Sequence, residues 1–174
     1  MRKLWLTASG GALRTWSKAA MNTATVSDVL AHPTRKMGGK ITVDCATMLN
    51  KGLEIIEAHH LFAMPAEKID VVVHPQSVIH SMIEFEDGAV LAQMGMPDMR
   101  GPIGYAMGYP ERIPYDARPL NFAGIGHLDF CAPDYDRFPC LRLSIEALKA
   151  GGNRPTVLNG ANEVAVGAFL RKKI

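Results

Sequence analysis

Glu86-Asp87-Gly88 sits between two apolar runs, 78–85 and 89–94. An Asp-Gly pair in that setting constrains the chain more than any other local feature. Tight hairpin turns need positive φ, which Gly, Asp and Asn supply at the least steric cost. The pattern therefore predicts an antiparallel hairpin and, with it, a sheet. Residues 69–73 (IDVVV) form a β-branched run that predicts a buried strand. A shorter strand is expected at 4–7, ending on Ser9-Gly10-Gly11, where glycine lets backbone N–H groups approach an anion closely. A further strand is expected at 41–43 (ITV).

Helical spacing runs through 46–62, with Met48, Leu49, Leu53, Ile56 and Leu61 on one face. A short helix with Ser27 as cap is expected at 27–30, and residues 35–40 (RKMGGK) are expected to form a loop. Asp98 has the look of a cap in Met96-Pro97-Asp98-Met99-Arg100. Residues 109–139 carry five prolines and little periodicity, so they are expected to form a linker. Helices are expected at 141–150, stopped by Gly151-Gly152, and at 155–170, with Pro155 in the first turn. The fold class that follows is α/β (α+β): a mixed sheet with helices over 1–108, a Pro-rich linker over 109–139, and the start of a helical bundle over 140–174.

Composition removes several functions. The chain has 174 residues, and its 48% hydrophobic and 21% charged content is that of a soluble globular protein of one domain or two small ones. It has no apolar stretch of about eighteen residues, so no membrane-spanning helix is expected. Nineteen basic residues against seventeen acidic ones leave a net charge of +2 and no electrostatic footprint for nucleic acid. Cys45, Cys131 and Cys140 are odd in number and lack C-x-x-C spacing, which argues against a disulfide framework and a cysteine zinc site. The N-terminus has no long apolar h-region. A reducing, cytoplasmic location is the expectation.

The densest chemistry lies between Val43 and Glu54. Asn50 and Glu54 are four apart, Lys51 and Glu54 three apart, so all three are neighbours near a helix start. The helix dipole there favours an anion, and Lys51 adds charge, a combination that suits phosphate. Glu54 suits a hard divalent cation. The same residues also read as an ordinary surface ion pair on an amphipathic helix. His32 precedes a proline and a glycine-bearing loop, either as a donor to an anion or as a plain loop histidine. His59 and His60 are adjacent and point to different faces, against joint metal ligation. His74-Pro75-Gln76-Ser77-Val78-Ile79-His80 ends the buried strand, where His74 and His80 either reach a ligand or organise the turn. Met94, Met96 and Met99 read as a wall against a flat ring or as core filler.

The segments Leu6-Thr7-Ala8-Ser9-Gly10-Gly11, His32-Pro33 with Met37-Gly38, Asp44-x-Ala46-Thr47-Met48-x-Asn50-Lys51-Gly52-Leu53-Glu54, His74 to His80, Pro97-Asp98-Met99-Arg100, Ala132-Pro133-Asp134-Tyr135 and Asn159-x-Ala161-Asn162-Glu163 occur in this order and spacing. In that arrangement the chain resembles the 1-deoxy-D-xylulose 5-phosphate reductoisomerase family of the methylerythritol phosphate route to isoprenoids, nearly end to end. The resemblance implies an oxidoreductase that rearranges the sugar phosphate and reduces it with NADPH to 2-C-methyl-D-erythritol 4-phosphate, with Mg²⁺ or Mn²⁺ as Lewis acid. It implies substrate contacts from Ser9, His32, Cys45, Asn50, Lys51 and Glu54, with Glu54, Lys51 and His32 as the catalytic candidates. It implies one metal ligand in Glu54, cofactor contacts from Met37 and Gly38, and a wall near the nicotinamide from Met99. A homodimer paired through the hairpin sheet is implied as well, with no nucleic-acid or membrane partner.

The chain also departs from the family pattern. Cys45 stands where a phosphate-binding serine is usual, Arg35 where a covering tryptophan is usual, and Gly11-Ala12-Leu13 where Gly-Pro-Phe is usual. No G-x-G-x-x-G follows a strand, and the family's Asp-x-Glu metal motif is missing. The expectation is a fragment or truncated product covering the substrate-binding part, inactive by itself and prone to aggregate through exposed apolar faces. The alternative is a non-catalytic remnant that binds a sugar phosphate or dimerises.

Overall fold

The computed structural model describes residues 1–32 and 37–174. Its centre is a four-stranded mixed sheet of β1 (Lys3–Ala8), β2 (Ile69–Val73), β3 (Ile79–Glu84) and β4 (Val90–Met94), in the order β2-β1-β3-β4. β1 pairs parallel with β2, Leu4 opposite Ile69, and antiparallel with β3, Leu4 opposite Ile83. β3 and β4 form the hairpin that Asp87-Gly88 predicts, with Gly88 at φ 85° and Glu84 opposite Val90. The parallel β1–β2 pair requires a long crossover. Residues 9–68 supply it, through α1 (Lys18–Met21), α2 (Val26–Leu30), α3 (Gly39–Ala46) and α4 (Leu49–Phe62). After the hairpin come α5 (Arg100–Gly108), α6 (Phe122–Ile125), α7 (Pro139–Ala150) and α8 (Arg154–Leu170).

Two apolar clusters hold these elements. In the larger, Met48, Ile55 and Ile56 pack with Leu4, Ile69, Val71 and Val73 of the sheet, and Phe138, Leu141 and Leu148 complete it around α7. Each large aliphatic side chain so buried contributes about 1.5–3 kcal/mol relative to exposure. In the smaller, Val166 of α8 meets Leu13, Val29, Val43 and Ala46. The two C-terminal helices thus brace the helices of the crossover.

Several local expectations are corrected. Residues 41–43 are not a strand but the middle of α3. Thr42 and Val43 are buried there, and Thr42 Oγ1 donates to the Gly38 carbonyl four residues back at 2.8 Å. Tertiary burial outweighs the modest helix penalty of β-branched residues. Gly39 and Lys40 belong to the same helix rather than to a loop. The helix expected over 46–62 is broken at Met48, which is buried and takes a left-handed φ of 60° between α3 and α4. Leu61 is exposed rather than on the buried face. Thr25, not Ser27, caps α2, in a reciprocal box with Asp28.

Met99, not Asp98, is the N-cap of α5, although the Asp98 carboxylate accepts the Arg100 N–H at 2.9 Å from one residue earlier. Other local readings hold. Gly151 ends α7 at φ 67°, and Pro155 lies in the first turn of α8. Among the described residues no helix is long and apolar enough to cross a membrane.

Candidate functional site

The C-terminal end of β1, the start of α4 and the start of β3 converge on one cleft of about 200 Å³. β1 delivers Thr7, Ala8 and the Ser9-Gly10-Gly11 turn; α4 delivers Asn50, Lys51 and Glu54; the β2–β3 turn and β3 deliver Ser77, Ile79 and His80. His32, Met37, Cys45 and Met48 complete the lining. Strand ends gathered beside a helix N-terminus are where anions bind in α/β folds.

Backbone geometry makes the Ser9 turn specific. Gly11 lies at φ 68°, and a Cβ there would stand 2.5 Å from the Cys45 carbonyl oxygen. Only glycine lets the turn lie against the end of α3. Arg14 donates to the Ser9 carbonyl at 2.9 Å, and Ser9 Oγ lies 3.4 Å from His32 Nε2. Across the cleft, Thr7 Oγ1 donates to the Ile79 carbonyl at 2.6 Å, tying β1 to β3 where side chains face the cavity.

The polar cluster on α4 is as the spacing predicts. Asn50 Nδ2 donates to Glu54 Oε1 at 2.7 Å, and the Lys51 ammonium pairs with Glu54 Oε2. Lys51 is half-buried, its side chain 12% exposed, so its charge is less screened than that of a surface lysine. An ammonium carries three donors and Glu54 engages one. Lys51, the dipole of the fourteen-residue α4, and the Ser9 hydroxyl all favour an anion over a neutral ligand.

The structure brings Ser9, His32, Met37, Cys45, Asn50, Lys51 and Glu54 to this cleft. It does not bring Gly38 or Met99 to it. Gly38 is the N-cap of α3, and Met99, 61% exposed, lines a separate groove beside α5 that meets the cleft at His80. Arg35 lies outside the described residues. Met48 and Ser77 line the cleft too, although the sequence marks neither as a site residue. Both have positive φ, 60° and 53°, which apolar and hydroxyl residues adopt rarely, and nothing in their identity signals it. His59 and His60 sit away from the cleft, with His59 Nδ1 2.6 Å from the Met64 carbonyl.

Glu54 is one carboxylate, and a divalent cation such as Mg²⁺ takes six oxygens. Among the described residues no three His, Cys, Asp or Glu side chains group closely enough to hold a metal. The residues present fit a metal as a single ligand, not as a complete site. Nor, among the described residues, is there a glycine-rich strand-turn-helix of the dinucleotide-binding kind.

Comparison with known proteins agrees with the motifs. The 1-deoxy-D-xylulose 5-phosphate reductoisomerase C-terminal domain matches residues 1–62, and the DXP reductoisomerase C-terminal domain matches residues 94–174. The chain is 58% identical over 174 residues to the 1-deoxy-D-xylulose 5-phosphate reductoisomerase of Bordetella avium, and 55% identical over the same length to that of Zymomonas mobilis. It is matched over its full length but spans 44% and 45% of those two proteins. Among solved structures, the Zymomonas mobilis enzyme in complex with NADPH superposes with a TM-score of 0.92 at 54% identity, over 99% of this chain and 44% of that one. A DOX-P reductoisomerase in complex with NADPH, fosmidomycin and magnesium superposes with a TM-score of 0.97 at 50% identity, over 100% of this chain and 43% of that one. At such identity, over the whole of its length, the chain belongs to the 1-deoxy-D-xylulose 5-phosphate reductoisomerase family.

Proposed function

We propose that this chain forms the sugar-phosphate-binding part of an enzyme that rearranges 1-deoxy-D-xylulose 5-phosphate and reduces it with NADPH to 2-C-methyl-D-erythritol 4-phosphate. The observation that carries the reading is the cleft itself. Ser9, His32, Asn50, Lys51 and Glu54 come from three segments far apart in sequence and line one cavity of about 200 Å³. Lys51 and the α4 N-terminus attract the phosphate, while Ser9, His32 and Asn50 offer hydrogen bonds that fix its orientation. Glu54 sits between Asn50 and Lys51, so its carboxylate is oriented before a ligand arrives. When bound, Mg²⁺ or Mn²⁺ would polarise substrate oxygens, and Glu54 would be one of its ligands. The described residues supply neither the other protein ligands nor a dinucleotide turn. The isolated chain is therefore expected to bind the sugar phosphate without reducing it.

Titration calorimetry with 1-deoxy-D-xylulose 5-phosphate, and separately with inorganic phosphate, tests this. Lys51→Ala should weaken both by about tenfold or more, because a half-buried charged donor to phosphate is lost. Equal affinity in the two proteins would overturn the assignment. A homodimer through the hairpin sheet belongs to the same proposal. Ile83, Val90 and Leu91 are exposed there, and sedimentation of the chain across a concentration series reports whether they pair copies.

A further inference from the structure

His74 is the only histidine among the described residues with no exposed surface, and no role in binding has been given to it. Its ring makes two hydrogen bonds. Nδ1 lies 2.9 Å from the Asp129 carbonyl oxygen, and Nε2 lies 3.3 Å from the Val78 backbone nitrogen. A carbonyl only accepts and an amide N–H only donates, so the two partners leave one arrangement: a neutral ring with its proton on Nδ1.

Each partner belongs to a different part of the molecule. Val78 lies in the β2–β3 turn, between Ser77 and Ile79, both of which line the cleft. Asp129 lies in the Pro-rich segment after β4, which docks on the end of β2. Val73 and Cys131 exchange backbone hydrogen bonds of 2.9 and 3.0 Å, the Gln76 amide donates to the Asp129 carboxylate at 2.5 Å, and the Phe130 ring stacks on the His74 ring at 4.8 Å. The backbone of His74 adds a third link, donating its N–H to the Ala8 carbonyl at 2.7 Å, one residue before Ser9.

We propose that His74 is a positioning residue: its Nδ1-protonated ring locks the Ser77–His80 wall of the cleft to the 129–131 strap, and through that lock the strap sets the affinity of the cleft for phosphate. The proposal rests on the cleft being the phosphate site. The ring acts through the Val78 N–H on one side and the Asp129 carbonyl on the other, while the backbone link to Ala8 stays in place whatever the side chain. Without its Nε2 acceptor, the Val78 N–H is buried and unpaired, and the turn carrying Ser77 must shift to recover a partner.

Two substitutions separate the halves of the lock. Gln reaches as far as Nε2 and presents an acceptor to Val78, whereas Asn is shorter and reproduces only the Nδ1 side toward Asp129. His74→Asn should therefore weaken inorganic phosphate binding by about tenfold, and His74→Gln should recover most of that loss. Nitrogen NMR of the [¹⁵N]histidine-labelled chain gives a readout that needs no variant, and His74 should appear as the Nδ1–H tautomer. The proposal is overturned by an Nε2–H or doubly protonated ring near neutral pH, or by Asn and Gln variants that bind phosphate equally. Lys51→Ala run alongside distinguishes the two failures: if it binds phosphate as the parent does, the site itself is misplaced, whereas if it binds weakly while the His74 variants do not, only the lock is wrong.

Discussion

Gly52 lies between Lys51 and Glu54 in sequence but faces the other way, onto α7. A Cβ built there would collide with both the Cβ and the Oγ of Ser144, which is fully buried and donates to the Cys140 carbonyl at 2.8 Å. The collision involves a Cβ, which is fixed to the α7 backbone, so no change of rotamer relieves it and one helix must move. Overpacking of this kind costs up to about 3 kcal/mol, and replacing glycine by alanine inside a helix returns about 1 kcal/mol. Gly52→Ala should therefore be destabilising by about 2 kcal/mol, a fall in Tm of roughly 4–8 °C for a chain of this length. Ser144 gives the internal control. Ser144→Ala keeps the offending Cβ and should not rescue Gly52→Ala; Ser144→Gly removes it and should. Calorimetry on the two double variants measures this directly. A Gly52→Ala protein as stable as the parent, or equal rescue by Ala and Gly at position 144, would refute the idea that Cβ contact sets the α4–α7 distance.

Cys45→Ser should tighten phosphate binding by about 1 kcal/mol, roughly fivefold, because a hydroxyl donates far better than a thiol; unchanged affinity in a phosphate titration would place Cys45 out of the ligand's reach. Asn162→Leu removes the 2.8 Å donor to Asp44 Oδ1 from a carboxylate whose side chain is 3% exposed, and should cost about 2–3 kcal/mol in urea denaturation. A cost under about 0.5 kcal/mol, the ordinary range for surface changes, would show that water replaces the amide. The Asp44 carboxylate, and behind it Glu163, hold the Lys40 ammonium above the usual lysine range. Since the folded value is the higher one, this stabilisation is complete below the ordinary lysine pKa and is lost as pH rises through the folded value. The stability gap between the parent and Lys40→Met should therefore be level near neutrality and shrink from about pH 10 upward; a gap that stays level to pH 11.5 would contradict the pairing.

The parts of the fold legible in the sequence are those whose cause is local. Asp87-Gly88 specifies a turn by its own backbone preference, the β-branched 69–73 run suits a strand whose Ile69, Val71 and Val73 face is buried, and Gly151 stops α7 by accepting positive φ. Residues 41–43 suggest a strand but form a helix because their state is decided elsewhere. Ile-Thr-Val favours a strand in isolation, but Val29 and Val166 offer it a helical groove, and Val166 is more than a hundred residues away. The break at Met48 is hidden for the same reason, since nothing in a methionine announces a left-handed φ.

The candidate site divides along this line too. Asn50, Lys51 and Glu54 could be grouped from spacing alone because a helix places residues three and four apart side by side, and the hydrogen bonds follow. Ser77 and His80 could not, because their place in the cleft depends on the parallel pairing of β1 with β2 and on the strap that meets Val73. The local half of the site supplies charge and donors, and the non-local half supplies the opposing wall. A ligand that needs both therefore reads the tertiary structure and not the motif. A synthetic peptide spanning residues 44–62 should for that reason bind phosphate far more weakly than the chain, even under conditions that make it helical by circular dichroism. Matching affinity would mean that the motif alone makes the site, and that the wall from Ser77 to His80 contributes nothing to it.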